Sequence, residues 1–169
     1  MPVTKLIFIL VRNIASTIFL IMVSYSAYAS TIYSVPFDYK RATPTNVYFS
    51  GRTESEINRF CKTQYHASQA DVDACAHRDF EKASAELQKR ASEVGNAYTS
   101  GDVELKENGQ PTAGPYFFKS MASWADFRDA ACYAETYALG EASSRYVEFW
   151  GCMTRITKSL TNELPSPKD

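Results

Sequence analysis

The chain has 169 residues, which is enough for one domain built around a single hydrophobic core. Its 18 Lys and Arg residues nearly balance its 19 Asp and Glu residues, so the formal net charge at pH 7 is −1. This balance argues against nucleic acid as the partner, because phosphate binding needs a strongly basic face.

The N-terminus has the three parts of a secretory signal peptide. Lys5 and Arg12 supply a positive region, an apolar run covers 14–23, and Ala27 to Ala29 form a small-x-small cleavage site. We therefore predict a signal peptide over 1–29 and an exported protein, periplasmic or extracellular. The apolar run is too short to span a bilayer comfortably, so we expect no stable membrane insertion after cleavage. The mature chain would keep 16 basic and 19 acidic residues, a net charge of −3.

The next segment, 30–52, contains two prolines and four aromatic residues between Tyr33 and Tyr48, without a helical period. It is predicted to be an extended leader lying along the helices. Its aromatic residues could tether the leader to the core or form a contact patch. A short helix over 53–60 should follow, because Thr53 and Glu56 have the spacing of a capping box.

The first long helix is predicted to begin after Ser68 as N-cap, with Asp71 favourable in its first turn. Its apolar face recurs at helical spacing: Val72, Cys75, Ala76, Phe80, Ala83, Leu87, Ala91 and Val94. The helix is expected to fade over 95–98. The Gly- and Pro-containing stretch 99–115 is then predicted to be a long loop, either functional or a plain linker.

Two further helical runs form the C-terminal part. The first places these residues on one side: Phe117, Met121, Trp124, Arg128, Ala131, Cys132 and Glu135. After a turn over 139–143, with Ser143 or Ser144 as the next N-cap, the second run has its own apolar side: Val147, Trp150, Met153, Thr157, Leu160 and Leu164. Pro165 and Pro167 should end it. The pattern predicts an antiparallel αα-hairpin.

Four cysteines in an exported chain indicate two disulfides. Three pairings are possible. The favoured one joins Cys132 to Cys152, which are equally far from the hairpin turn and should face each other, and Cys61 to Cys75, which are a local pair. The predicted fold is an all-α, small disulfide-stapled helical bundle over 53–164. It has three main helices, the C-terminal αα-hairpin, an extended N-terminal leader and a short tail at 165–169.

Candidate chemistry is sparse. His66 and His77 with Cys61 and Cys75 have spacings that zinc could use, but in an exported protein the disulfide is the better interpretation. We therefore predict no metal and no cofactor. The acidic residues should lie on solvated helix faces, and no nucleophile, P-loop or metalloprotease motif appears, so the protein is predicted not to be an enzyme. Arg128 lies on an apolar stripe, where a buried guanidinium needs a partner, and Trp124 is within stacking reach.

The segment Trp124-x-x-Phe127-Arg128-Asp129-x-x-Cys132 resembles the signature of the LprI-type lysozyme inhibitor family. Further residues at family positions are the following: Cys61, Ser68, Gln69, Cys75, Leu87, Cys152, Thr157 and Leu164. The sequence departs from the family where Met121 replaces Gln, Leu160 replaces Arg, and Ser84 and Gln88 replace an acid and Asn. The Arg–acid pairing of the family is then expected to be either lost or rerouted to Glu81 or Glu135, with Arg155 close to the missing Arg.

The resemblance implies an exported, non-enzymatic binding protein whose partner is a lysozyme, blocked at its active-site cleft. We expect the partner contact in the 99–115 loop, where Asp102, Glu104 and Glu107 could meet basic groups. The alternative is an envelope structural or interaction protein, or an immunity-like protein that binds another partner.

Overall fold

The structure is a computed structural model that describes Thr31 and residues 33–65 and 67–165. The predicted signal peptide, His66 and the last four residues of the tail lie outside these residues. The described part of the chain is helical and contains no β-strand. None of the helices in this part is long and apolar enough to cross a membrane.

The chain divides into two units, Met1–Phe37 and Asp38–Asp169. In the described residues of the first unit, the backbone N–H of Ser34 donates to the carbonyl of Thr31 at 3.0 Å and closes a turn.

The described residues of the second unit form one short 3-10 helix and five α-helices. The 3-10 helix is Tyr39–Arg41, and the α-helices are α1 (Thr45–Tyr48), α2 (Glu54–Thr63), α3 (Gln69–Glu107), α4 (Gly114–Ala138) and α5 (Arg145–Glu163). Helices α3, α4 and α5 form the bundle, so the predicted all-α fold with three main helices is confirmed. Both predicted helix starts are present as full capping boxes, Thr53 with Glu56 for α2 and Ser68 with Asp71 for α3.

The prediction of an extended leader over 30–52 is wrong for its second half. Asp38 accepts a hydrogen bond from Lys40 N and caps the 3-10 helix, and α1 follows within a few residues. Thr45 begins α1 and donates from its backbone N–H and its hydroxyl to the Glu81 carboxylate of α3. Contacts between distant parts of the chain therefore support these short helices, whose own sequence has no helical period.

The prediction of a loop over 99–115 is also wrong. Helix α3 is 39 residues long and continues into this segment as far as Glu107. The true connection is 108–113. At Gly95, where fading was expected, an added Cβ would lie 3.1 Å from the Phe118 ring and 3.3 Å from the Phe117 ring of α4. The glycine lets α3 and α4 approach closely here, and this packing offsets its poor helix propensity of about 1 kcal/mol.

Asp102 of α3 caps the start of α4. Ala113 is the N-cap of α4 and has no side-chain oxygen to offer. The Asp102 carboxylate of α3 accepts the backbone N–H of Ala113 at 2.6 Å and that of Gly114 at 2.8 Å. It thereby satisfies two of the free N–H groups that every helix start leaves, and it does so from a neighbouring helix.

The C-terminal hairpin forms as predicted. Helix α4 ends at Ala138, and Gly140 has a positive φ of 61° in the turn before α5. Leu164 adopts an extended conformation before Pro165, which ends α5. The structure has the two expected disulfides: Cys132–Cys152 joins α4 to α5 with Cα atoms 5.6 Å apart, and Cys61–Cys75 joins α2 to α3 at 5.4 Å.

The centre of the core lies on α5. Phe149 and Met153 are fully buried there, although the predicted apolar side of this helix did not include Phe149. Because α5 packs against both α3 and α4, the arc that it buries is wider than one stripe. Trp150 stacks on Phe80 of α3 with ring centroids 5.5 Å apart, and on His77 at 3.9 Å.

We expect Asp102→Ala to destabilise the fold by about 0.5–2 kcal/mol, as the loss of a helix cap does. Urea unfolding followed by circular dichroism measures this difference. Glu104→Ala is the matched control, since Glu104 is exposed two residues away and should leave stability within about 0.5 kcal/mol. Equal stability of the two variants would contradict the capping role.

We expect stability to fall as the pH drops below about 6.5, the unperturbed pKa of histidine, because of His77. Burial lowers the pKa of His77, although Glu81 at 3.6 Å partly opposes this shift. The fold therefore favours the neutral ring, and its contribution is present above the unfolded pKa and lost as the ring protonates. In His77→Phe, which keeps an aromatic ring against Trp150, urea unfolding at pH 7.5 and pH 5.5 should show a smaller loss than in the parent. An identical loss in both proteins would exclude His77 as the cause.

Candidate functional site

Two residues of the Trp124–Cys132 motif, Trp124 and Asp129, contact the buried guanidinium of Arg128. Arg128 is 9% exposed, and its guanidinium carbon lies 5.1 Å from the Trp124 ring centroid and 5.3 Å from that of Phe80. It donates to Asp129 Oδ1 from Nε at 3.0 Å and from Nη2 at 2.7 Å. This geometry combines an ion pair with two cation–π contacts and joins α4 to α3. The predicted burial and stacking of Arg128 are both present.

The other carboxylate oxygen of Asp129 accepts a hydrogen bond from the Tyr39 hydroxyl at 2.7 Å. Arg128 Nη2 also donates to this hydroxyl at 3.4 Å. Burial, with this bond to the Asp129 carboxylate, raises the pKa of Tyr39 to about 12, so the hydroxyl stays protonated and donates. Sequence reasoning missed Tyr39, because it lies 90 positions from Asp129 and has no motif around it.

The remaining motif residues serve different purposes. Thr157 is fully buried on α5, and Gln69 is exposed at the start of α3, where it donates to Asp73 at 3.0 Å. Leu164 caps α5 and is half-buried. Phe127, by contrast, is 63% exposed. Most of the motif therefore builds the bundle and does not form its surface.

Of the two acids predicted to take over the Arg–acid pairing of the family, Glu135 pairs with an arginine. Arg155 of α5 pairs with Glu135 of α4 at 2.9 Å, and both side chains are exposed. Glu81 instead accepts from Thr45. An exposed ion pair of this kind contributes about 0–1 kcal/mol to the stability of the fold. The pair therefore adds little to the packing of α4 on α5.

The far end of the bundle extends beyond α5. The end of α5 lies beside 86–93 of α3, where Thr161 and Asn162 share a groove with Glu86 and Glu93. On α4 it reaches Trp124 and Phe127, which line a groove with Leu160 and Glu163. The parts of α3 and α4 past these points are 94–107 and 114–123, with 108–113 between them, and Gly95 of the first part packs against Phe117 and Phe118 of the second. We call 94–123 the helical projection; its α3 arm is about 20 Å long at 1.5 Å per residue.

The helical projection carries several exposed apolar side chains. Tyr116 is 73% exposed, and Phe118 is 55% exposed although it also covers Gly95. Val103 and Tyr98 add to the same end of the molecule. Exposed aromatic residues grouped on a convex element are typical of protein-binding surfaces.

The three acidic residues expected to contact a partner all lie on the helical projection, but in a helix and not in a loop. Asp102 is occupied as the cap of α4, so its carboxylate is only partly available. Glu104 and Glu107 are exposed in the last two turns of α3. The expected contact surface is thus rigid helix, and two of its three acids face solvent.

The zinc spacing noted in the sequence does not hold in the structure, because Cys61 and Cys75 are bonded to each other. His77 stacks on Trp150, and His66 lies outside the described residues. Within the described ranges there is no group of three or more His, Cys, Asp or Glu side chains that could hold a metal ion.

Comparison with known proteins agrees with this architecture. The chain matches the family "Lysozyme inhibitor LprI" over residues 61–164, which is more than half of its length. An uncharacterized protein of Rhizobium meliloti (strain 1021) is 30% identical over 99 residues, covering 57% of this chain and 71% of the relative. No solved structure matches the chain significantly. The matched range includes both disulfides, Arg128 with its neighbours Trp124, Phe80 and Asp129, and the whole helical projection. The chain therefore belongs to the LprI lysozyme inhibitor family.

Proposed function

We propose that this protein is an exported, non-enzymatic inhibitor that binds a lysozyme and blocks its active-site cleft with the helical projection. The observation that carries the proposal is the exposure of Tyr116 and Phe118 on the helical projection. Membership of a family described as lysozyme inhibitors supports a lysozyme as the partner. The two disulfides suit an oxidising compartment outside the cytosol, in agreement with the predicted signal peptide.

The shape of the helical projection suits a cleft. Two packed helices, each about 10–12 Å across with side chains, form a narrow convex element. Their aromatic side chains can enter hydrophobic subsites at low entropic cost, since each has only two side-chain torsions to fix. The projection is also held rigid by Asp102 at its loop and by the close approach at Gly95, so little order has to be gained on binding.

The charge of the projection is mildly favourable for a basic enzyme. Glu104 and Glu107 are exposed near its end, with Lys106 between them. Rim charges of this kind mainly accelerate association and contribute little to affinity. The aromatic residues should therefore determine the dissociation rate, and the acids the salt dependence of association.

In a peptidoglycan-lysis assay, we expect the oxidised protein to inhibit at least one of animal-type, goose-type and bacterial lysozymes. The double variant Tyr116→Ala with Phe118→Ala should weaken inhibition at least tenfold, because two central aromatic anchors are removed. The control is Phe127→Ala, an equally exposed aromatic residue of α4 outside the projection, which should leave the inhibition constant unchanged. Absence of inhibition for all three lysozyme types would refute the function, and an unaffected double variant would refute the surface.

The acidic residues form a separate test. Glu104→Lys with Glu107→Lys should slow association with a basic lysozyme and reverse its salt dependence, while Asp102 stays in place to cap α4. Surface plasmon resonance at two salt concentrations separates the two rate constants. Association rates equal to those of the parent would remove these two acids from the contact.

The alternative, an envelope interaction protein whose leader binds another partner, receives less support. Tyr39 and Phe49, two aromatic residues of the predicted leader, pack into the bundle. Deleting the leader would therefore disturb the core along with any contact. Val47, which is 57% exposed on α1, is the better probe of this surface, through Val47→Ser.

A further inference from the structure

Four aromatic rings of the bundle surround the side chain of Tyr39. Its ring centroid lies 5.6 Å from that of Phe149, 6.1 Å from that of Trp150, and 6.3 Å from those of Phe80 and Tyr133. The contacts with Phe80 and Trp150 are edge-to-face, the geometry that ring quadrupoles favour. We call these four rings, with Arg128 and Asp129, the tyrosine box.

The polar end of the tyrosine box matches a phenol hydroxyl. Asp129 Oδ2 accepts the hydroxyl hydrogen at 2.7 Å, and Arg128 Nη2 lies at 3.4 Å as a donor. Arg128 and Asp129 neutralise each other, so the box presents no net charge to its ligand. A neutral phenol fits this arrangement, whereas a phosphorylated or carboxylated ring would bring a negative charge against the Asp129 carboxylate.

The box and its occupant come from different parts of the chain. Phe80, Arg128, Asp129, Tyr133, Phe149 and Trp150 all lie within 61–164, the range of the family match. Tyr39 lies well before it. The helical domain thus contains a complete aromatic receptor that a separate segment fills.

Tyr39 attaches residues 38–44 to the bundle. Their backbone bonds are internal, from Arg41 N to Asp38 O and from Ala42 N to Tyr39 O. The contacts to the helices are made by Tyr39, through its ring, its hydroxyl and its backbone N–H, which donates to the Tyr133 hydroxyl at 3.4 Å. The next attachment point is Thr45 on Glu81. Release of the Tyr39 side chain would therefore remove the hydroxyl bond and the ring contacts that it makes with the helices.

We infer that the tyrosine box is a binding site for tyrosine side chains, that Tyr39 is its displaceable internal ligand, and that its release opens the site to a tyrosine presented by a protein partner. The occupant is a neutral phenol side chain on a peptide segment. This site is separate from the helical projection and does not depend on lysozyme inhibition.

The first test uses Tyr39→Ala, which empties the box, with p-cresol as the probe. In thermal unfolding, p-cresol should raise the melting temperature of Tyr39→Ala, with a dissociation constant at least tenfold tighter than that of toluene, which lacks the hydroxyl. The charged analogue p-tolyl phosphate should not stabilise the variant. Tyr116→Ala is the control, because it removes an exposed tyrosine and leaves the box filled; it should gain nothing from p-cresol.

Equal p-cresol effects on Tyr39→Ala and Tyr116→Ala would overturn the inference. Should Tyr39→Ala not fold by itself, it is refolded with and without p-cresol. Recovery of the helical circular dichroism signal only with p-cresol supports the site, and no recovery overturns it.

The second test measures displacement by a peptide covering residues 38–45. The peptide should bind Tyr39→Ala and should bind the parent protein at least tenfold more weakly, since Tyr39 must first leave the box. A peptide with Phe in place of its tyrosine should lose affinity for the variant, because it cannot donate to Asp129. Equal affinity for parent and variant, or binding to neither, would show that Tyr39 does not occupy a displaceable site.

Discussion

The structure depends on how the buried guanidinium of Arg128 is accommodated. A guanidinium inside a small helical bundle is costly unless it is paired, and Arg128 meets this requirement with Asp129 beside it and the rings of Trp124 and Phe80 on either side. The cluster joins α4 to α3. Because Asp129 has a second oxygen free, it also binds Tyr39 and thereby attaches the segment that precedes the helices.

The helices of the bundle differ in length, and this difference supports the proposed function. The disulfide Cys61–Cys75 joins α2 to α3, and Cys132–Cys152 joins α4 to α5. Helix α3 has 39 residues and is longer than α5, which has 19. The surplus length of α3 pairs with the first turns of α4 and forms the helical projection. A stabilised bundle can thus present a rigid aromatic surface without placing that surface in a mobile loop.

Local patterns in the sequence were sufficient wherever a signal involves neighbouring residues. The capping boxes of Thr53 and Ser68, the stop at Gly140, and the burial of Arg128 beside Trp124 depend on spacings of a few residues. The candidate contact acids were expected in a loop, whereas they lie in α3. Their helix could not be foreseen, because Gly95, Gly101 and the residues around them have poor helix propensity, which α4 offsets by packing on Gly95.

The sequence by itself therefore determined the helical class, the hairpin and its disulfide, and the family motif, since all of these follow from periodicity and short-range chemistry. The tertiary structure alone decided that Asp102 caps α4, that Tyr39 fills the tyrosine box, and that Tyr116 and Phe118 remain exposed. The physical reason is the same in each case. Each outcome depends on which distant surface a residue meets, and that is defined only once the helices have packed.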